Sequence, residues 1–276
     1  MSTALQTPRA HELKRLRERL AAYDPVLRQT RRLSLGDGRV DGCFLGGGLP
    51  LGCWHELVGA ETDLESAAVT AGFAARLCGS LLSGGLSRAG QVVWVLRRTD
   101  LYAPGLSELG LPSARLMIVR TRSEAESFAA LEDALSARGV SAAVGEVERI
   151  GLTEGRRLQL ACERRGATGF LLRRRLFGST PNRAVRVEPA IAASRWRLAP
   201  APSEMAIGEP GLGPPRWAAR LERARGGRSG GWIMEASFDG AAPFRVVAEL
   251  ADHRVAAPDA SHGEREDTPR ALQRIA

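Results

Sequence analysis

The first regular pattern of apolar and polar positions along the chain is helical. Between residues 9 and 22, Leu13, Leu16 and Leu20 recur at three- and four-residue spacing among Arg, Glu and Lys, which predicts an amphipathic helix. Asp24-Pro25 ends it. Such a helix has to bury its leucines, either on its own domain or on a neighbour, so Leu13, Leu16 and Leu20 form a candidate partner-binding stripe.

The pattern then changes to short apolar runs alternating with helical stripes. A glycine-rich stretch from Gly46 to Gly52 leads into a strand at His55–Val58 and then Gly59. A long helix follows, with Leu64, Ala67, Ala68, Ala71, Ala74, Ala75, Cys78, Leu81 and Leu82 on one broad apolar stripe. Strands are predicted at Val92–Leu96 and Leu116–Val119, with a short helix within Pro104–Leu111 between them. Continuous apolar runs of this kind suit parallel strands covered on both faces. Ser123 with Glu126 forms a capping box and opens a helix carrying Phe128, Leu131 and Leu135, which Gly139 stops. Val140–Val144 is a further strand, Thr153 caps the next helix, and Gly169–Leu172 follows as a strand. Strand–helix repetition requires right-handed crossovers and a parallel sheet with helices on both faces.

Beyond about residue 185 the segments become short and β-like: Val185–Val187, Ser194–Ala199, Trp217–Ala224, Gly231–Phe238 and Phe244–Leu250. Five prolines make 200–216 an irregular connector, and Arg225–Gly231 reads as a hairpin loop. The chain therefore divides into an N-terminal helix and connector (1–40), an α/β core (41–200), a C-terminal antiparallel β extension (201–251) and a polar tail expected to be disordered (252–276).

Composition narrows the function classes. The apolar runs are too short to cross a bilayer, and the charged N-terminal stretch does not resemble a secretory signal, so the cytoplasm is the expected compartment and no membrane partner is expected. Cys43, Cys53, Cys78 and Cys162 are scattered without a C-x-x-C pair, which argues against a metal site. The net charge of +8 favours an acidic partner such as DNA. Lys14 is the only lysine, however, and an arginine bias with abundant Ala and Gly also follows from a GC-rich genome. Seven arginines and no acid fall between residues 164 and 186. Of these Arg164, Arg165, Arg173, Arg174, Arg175, Arg183 and Arg186 are candidate phosphate contacts, the competing role being pairing with acids elsewhere in the fold. Trp196, Trp217 and Trp232 could stack on bases but suit the core of the β extension better. His55 and Glu56 are adjacent on a strand and point to opposite faces, so they do not form a shared ligand pair. No nucleophile–base or metal-protease constellation is present, and no catalytic residue or cofactor is expected.

In an open α/β sheet the turn from a strand through a glycine into a helix is where phosphates bind. Here the segment from Gly46 through the strand to Ser66 resembles the RecA/RadA superfamily around its G-x-x-x-x-G-K-[ST] loop. Laid on that pattern, Gly59 holds the first glycine, Leu64 the second, Glu65 the lysine and Ser66 the hydroxyl position. The match continues through Pro104 and Glu108–Leu111 to Val140–Glu146, with Glu146 near the magnesium-linked acid. A carboxylate at the lysine position would repel a triphosphate by a few kcal/mol per like-charge pair, so a degenerate nucleotide site is expected.

Leu49–Gly59, Gly166–Arg173, Ser194–Leu198 and Gly208–Trp217 resemble the ImuA family within that superfamily. The resemblance implies a RecA-like, mostly parallel α/β fold and a non-enzymatic accessory role in inducible, error-prone translesion synthesis. It implies as partners an ImuB-like Y-family polymerase homologue and an error-prone replicative-type polymerase subunit, with RecA and DNA as further candidates. Two other functions stand as alternatives: a DNA-dependent ATPase or recombinase with an atypical nucleotide site, and, by distant sequence similarity, a SulA-like cell-division inhibitor.

Overall fold

The structure, a computed structural model, describes residues 31–60, 62–84, 90–174, 191–205, 208, 210–240 and 242–250, together with Glu12, Arg19 and Asp24. Leu13, Leu16 and Leu20, the 185–187 segment, the C-terminal tail, and Arg175, Arg183 and Arg186 lie outside the described residues.

Strands β1 (Arg32–Leu33) and β2 (Leu49–Pro50) pair antiparallel on either side of a single helical turn, α1 (Gly38–Asp41). The body of the molecule is a nine-stranded sheet. Its strands are β3 (Trp54–Gly59), β4 (Gln91–Leu96), β5 (Leu116–Arg120), β6 (Val140–Val147), β7 (Thr168–Arg173), β8 (Ser194–Ala201), β9 (Arg216–Ala224), β10 (Gly230–Ala236) and β11 (Phe244–Glu249). The spatial order is β11-β10-β9-β8-β3-β7-β6-β4-β5. Every pair from β8 to β5 is parallel, and β8 to β11 are joined antiparallel. The expected α/β class, with a mostly parallel sheet and an antiparallel C-terminal continuation, is what the chain adopts.

The long helix α2 (Asp63–Ser83) covers one face of the sheet, and α4 (Glu124–Ser136) and α5 (Leu152–Arg165) cover the other. The short α3 (Ala103–Glu108) follows β4. On the α2 side Phe73, Trp94, Phe170, Trp196, Trp217 and Phe244 form one core, and on the other side Trp54, Val95, Leu131, Leu158 and Leu171 form a second. Trp196, Trp217 and Trp232 are all buried in the first core. The small residues of α2 allow the close approach their spacing suggested. A Cβ on Gly79 would lie 2.3 Å from the carbonyl oxygen of Gly110.

Two contacts fasten the β extension to α2. Phe73 stacks on Phe244 with ring centroids 4.6 Å apart. The buried Arg76 donates to the carbonyl oxygens of Pro243, Leu109 and Ser237 and lies 4.8 Å over the ring of Phe238. Boundaries shift slightly from the sequence reading. Gly151, not Thr153, is the N-cap of α5, and β6 runs on to Val147.

Candidate functional site

The carboxyl ends of β3, β4, β6 and β7 lie along one edge of the sheet, and α2 begins there. This is the edge at which open α/β sheets bind ligands, because strand ends, loop amides and a helix N-terminus converge. β3 ends at Gly59 and α2 starts at Asp63, so the connection is only three residues long. The Cα of Gly59 packs directly on Ser66, and a Cβ there would sit 2.1 Å from the Ser66 Cβ. Glycine is therefore required by strand–helix packing. Ala60 N–H donates to the carbonyl oxygen of Leu198 on β8, at 2.8 Å.

Glu65 does not face this edge as a repelling charge. It is exposed, and its carboxylate accepts from the N–H and the hydroxyl of Thr62 at 3.2 and 2.7 Å. The lysine position of the superfamily pattern thus carries an N-capping residue, and these two hydrogen bonds hold its pKa below the ordinary glutamate range. Ser66 is buried, and Leu64 lies within the first turn of α2.

The centre of the edge is occupied by Arg174, the residue directly after β7. Its guanidinium donates from Nε and Nη2 to the two carboxylate oxygens of Asp63, both at 3.0 Å. Nη1 donates to Glu146 Oε2 at 2.8 Å. Nη1 and Nη2 also reach the two oxygens of Asp100, at 3.3 and 2.8 Å. A guanidinium has five N–H donors, and these five hydrogen bonds commit all of them. Glu146 takes a further hydrogen bond from the indole N–H of Trp94 at 3.2 Å.

Arg174 is 5% exposed, and Glu146 on β6 is 1% exposed. Burial raises the pKa of Glu146 despite the nearby guanidinium. The hydrogen bonds from Arg174 hold Asp100 below the ordinary aspartate range. Burial opposes the charge on Arg174, but Asp63 and Asp100 outweigh it, so its pKa is raised and it stays cationic. Beside this cluster a cavity of about 340 Å³ opens between α2 and α3, walled by Ala67, Ala71, Leu101, Leu106, Glu146 and Arg174.

A second buried cluster lies one residue earlier. Glu56, fully buried on β3, receives Nη1 of Arg173 at 2.7 Å and Nε of Arg195 at 2.6 Å. His55, its neighbour, faces the other way, with Nδ1 2.7 Å from the Ser194 hydroxyl and Nε2 2.9 Å from the Pro50 carbonyl oxygen. Burial depresses the His55 pKa to about 4, so it is neutral near pH 7.

The expectation that Arg173 and Arg174 belong to an exposed basic track is corrected. Both are buried and paired with carboxylates: Arg173 donates to Glu56 and to the Glu148 carbonyl oxygen, and Arg174 donates to Asp63, Asp100 and Glu146. Arg164 and Arg165 are exposed in the last turn of α5. The sequence reading placed Gly59, Ser66 and Glu146 at one edge, as the structure does. It took Asp63 only as a further repelling charge, and it missed Asp100 and Trp94 as members of the cluster. The available signal was an acid four residues past the end of β3 and of β4, at Asp63 and Asp100, on the edge where Glu146 stands near the end of β6.

No family model matches the chain. Over 231 residues it is 54% identical to Protein ImuA of Caulobacter vibrioides, in both strain NA1000 / CB15N and strain ATCC 19089. The match covers 83% of this chain and 93% of the relative. The chain belongs to the ImuA family. Among the described residues no helix is long and apolar enough to cross a membrane, and no group of three or more His, Cys, Asp or Glu could hold a metal ion. All four cysteines of this ImuA-family chain are buried and free, and burial raises the Cys162 thiol to about 12.

Proposed function

We propose that the chain is a RecA-like adaptor of error-prone translesion synthesis whose ancestral nucleotide site is filled by its own arginine. The observation that carries this reading is Arg174. Its guanidinium sits at the phosphate-binding edge with every N–H donated to Asp63, Asp100 or Glu146. A triphosphate arriving there would meet three carboxylates and no uncommitted donor from that arginine. Like charges in a partly desolvated site cost a few kcal/mol per pair.

With the catalytic edge closed, the fold serves as a scaffold for protein contacts. Family membership directs those contacts to an ImuB-like Y-family polymerase homologue and an error-prone replicative-type polymerase subunit, with RecA and DNA as further partners. The test is fluorescence titration of a labelled ATP analogue with magnesium, alongside an ATPase assay with single-stranded DNA. Neither saturable binding nor turnover is expected, whereas the purified polymerase homologue co-elutes with the chain on size exclusion. Robust DNA-stimulated turnover overturns the reading.

A further inference from the structure

Helix α5 is seated on the sheet by one face. Leu158, Ala161 and Cys162 enter the second core, and Gly155 lies against Trp54, where a Cβ would sit 3.3 Å from the indole ring. The opposite face is turned outward. Leu152, Arg156, Leu160 and Arg164 are all exposed there. They recur every four residues, so they form a single ridge along the helix, alternately leucine and arginine. A helix on a sheet buries its apolar stripe, yet two of the three leucines of α5 stand on this ridge, 54% and 55% exposed.

The arginines of the ridge have no acid within helical reach. Ion pairs on a helix surface form at three- and four-residue spacing. The positions three and four removed from Arg156 are Leu152, Thr153, Gln159 and Leu160, and those before Arg164 are Leu160 and Ala161. Neither arginine forms an ion pair among the described residues. The acids around them have other roles: Glu163 accepts from Gln159, Glu132 of α4 pairs with Arg157, and Glu154 lies against Gly151. Asp133 is exposed on α4, with no ion pair among the described residues.

We propose that this ridge docks an acidic amphipathic helix of a partner protein. The partner's apolar side chains cover Leu152 and Leu160, and its carboxylates meet Arg156 and Arg164, which stand about 12 Å apart along the axis at 1.5 Å per residue. Helices recognise one another in this way, with apolar anchors at turn spacing and ion pairs beside them that set the choice of partner. The leucines favour a protein over a nucleic acid, because phosphate contacts need only the arginines. The chain's own amphipathic stretch 9–22 carries five Lys and Arg against two Glu, so the ridge repels it, as it would a second α5.

The inference rests on the partner-binding role proposed above, and its test separates the two. The purified polymerase homologue is titrated against the full chain at several salt concentrations, with a labelled oligothymidine titrated in parallel. Leu152→Ser/Leu160→Ser should weaken the protein complex by about tenfold or more and leave its salt dependence intact. Arg156→Gln/Arg164→Gln should weaken it and flatten the salt dependence, because the ion pairs are gone. All four side chains are exposed, so each variant should keep the parental thermal transition. A complex that both variants form with parental affinity overturns the inference and spares the partner-binding reading. So does an arginine variant that loses only oligothymidine affinity, which makes the ridge a phosphate contact, or a self-dimer that the leucine variant dissolves. Absence of any complex with the homologue overturns both.

Discussion

Replacing Arg174 with alanine tests the central physical claim, because among the described residues it is the one cation that Asp63, Asp100 and Glu146 share. Asp63 and Glu146 are buried, and both would keep a charge with no guanidinium to face. Two unit charges roughly 5 Å apart at an effective dielectric near 20 repel by about 3 kcal/mol. Removing one partner of a buried ion pair costs about 3–5 kcal/mol in measured cases. The Arg174→Ala chain should lose about that much at pH 7.5, a fall in Tm on the order of 10 °C at roughly 2–4 °C per kcal/mol.

The loss should depend on pH. Burial already raises the Glu146 pKa, and losing the cation raises it further. The folded variant then holds a proton that the unfolded chain has released, so its stability rises as pH falls from 7.5 towards 5. Thermal melts of both proteins across that range make the measurement, and the variant should recover part of its deficit on acidification. A Tm within about 2 °C of the parent at pH 7.5, with a parallel pH profile, would refute the idea that this arginine neutralises the site.

Four further outcomes follow from the geometry. Leu64→Gly/Glu65→Lys, which restores the phosphate-loop residues, should still fail to bind the labelled ATP analogue, because Arg174 and its carboxylates remain in place; saturable binding would locate the block in the loop instead. Gly79→Ala should destabilise by about 1–3 kcal/mol in urea melts, since its Cβ would meet the Gly110 carbonyl oxygen at 2.3 Å. His55 is depressed to about 4 in the folded chain, so the unfolded chain binds a proton that the native state refuses; stability should fall as pH drops from about 6.5 towards 4, with a shallower slope in His55→Gln. Arg164→Ala/Arg165→Ala touches only the exposed end of α5 and should change stability by no more than about 0.5 kcal/mol, so a fall in DNA affinity in that variant, read by fluorescence anisotropy, would report contact.

Much of the site was legible because strand ends and loops obey topology. Gly59, Ser66 and Glu146 could be placed at one edge by combining the strand–helix rhythm with the resemblance to the RecA/RadA phosphate-loop pattern. The role of Glu65 was not legible, because a carboxylate three residues after Thr62 can face a ligand or fold back to cap its own helix, and only the backbone geometry chooses. Arg173 and Arg174 read as surface charge because a run of arginines carries no record of its distant partners. Glu56 lies 117 positions from Arg173, and Asp63 lies 111 from Arg174.

The amino-acid pattern by itself determined the alternating strands and helices, the parallel sheet they force and the antiparallel strands that follow. Those features rest on local periodicity, turn chemistry and crossover handedness. The tertiary structure decided which charges meet. Ion pairs between residues over a hundred positions apart depend on strand order and register, and no local pattern encodes these. The same long-range pairing turned an apparent DNA-binding arginine into the buried centre of a carboxylate cluster.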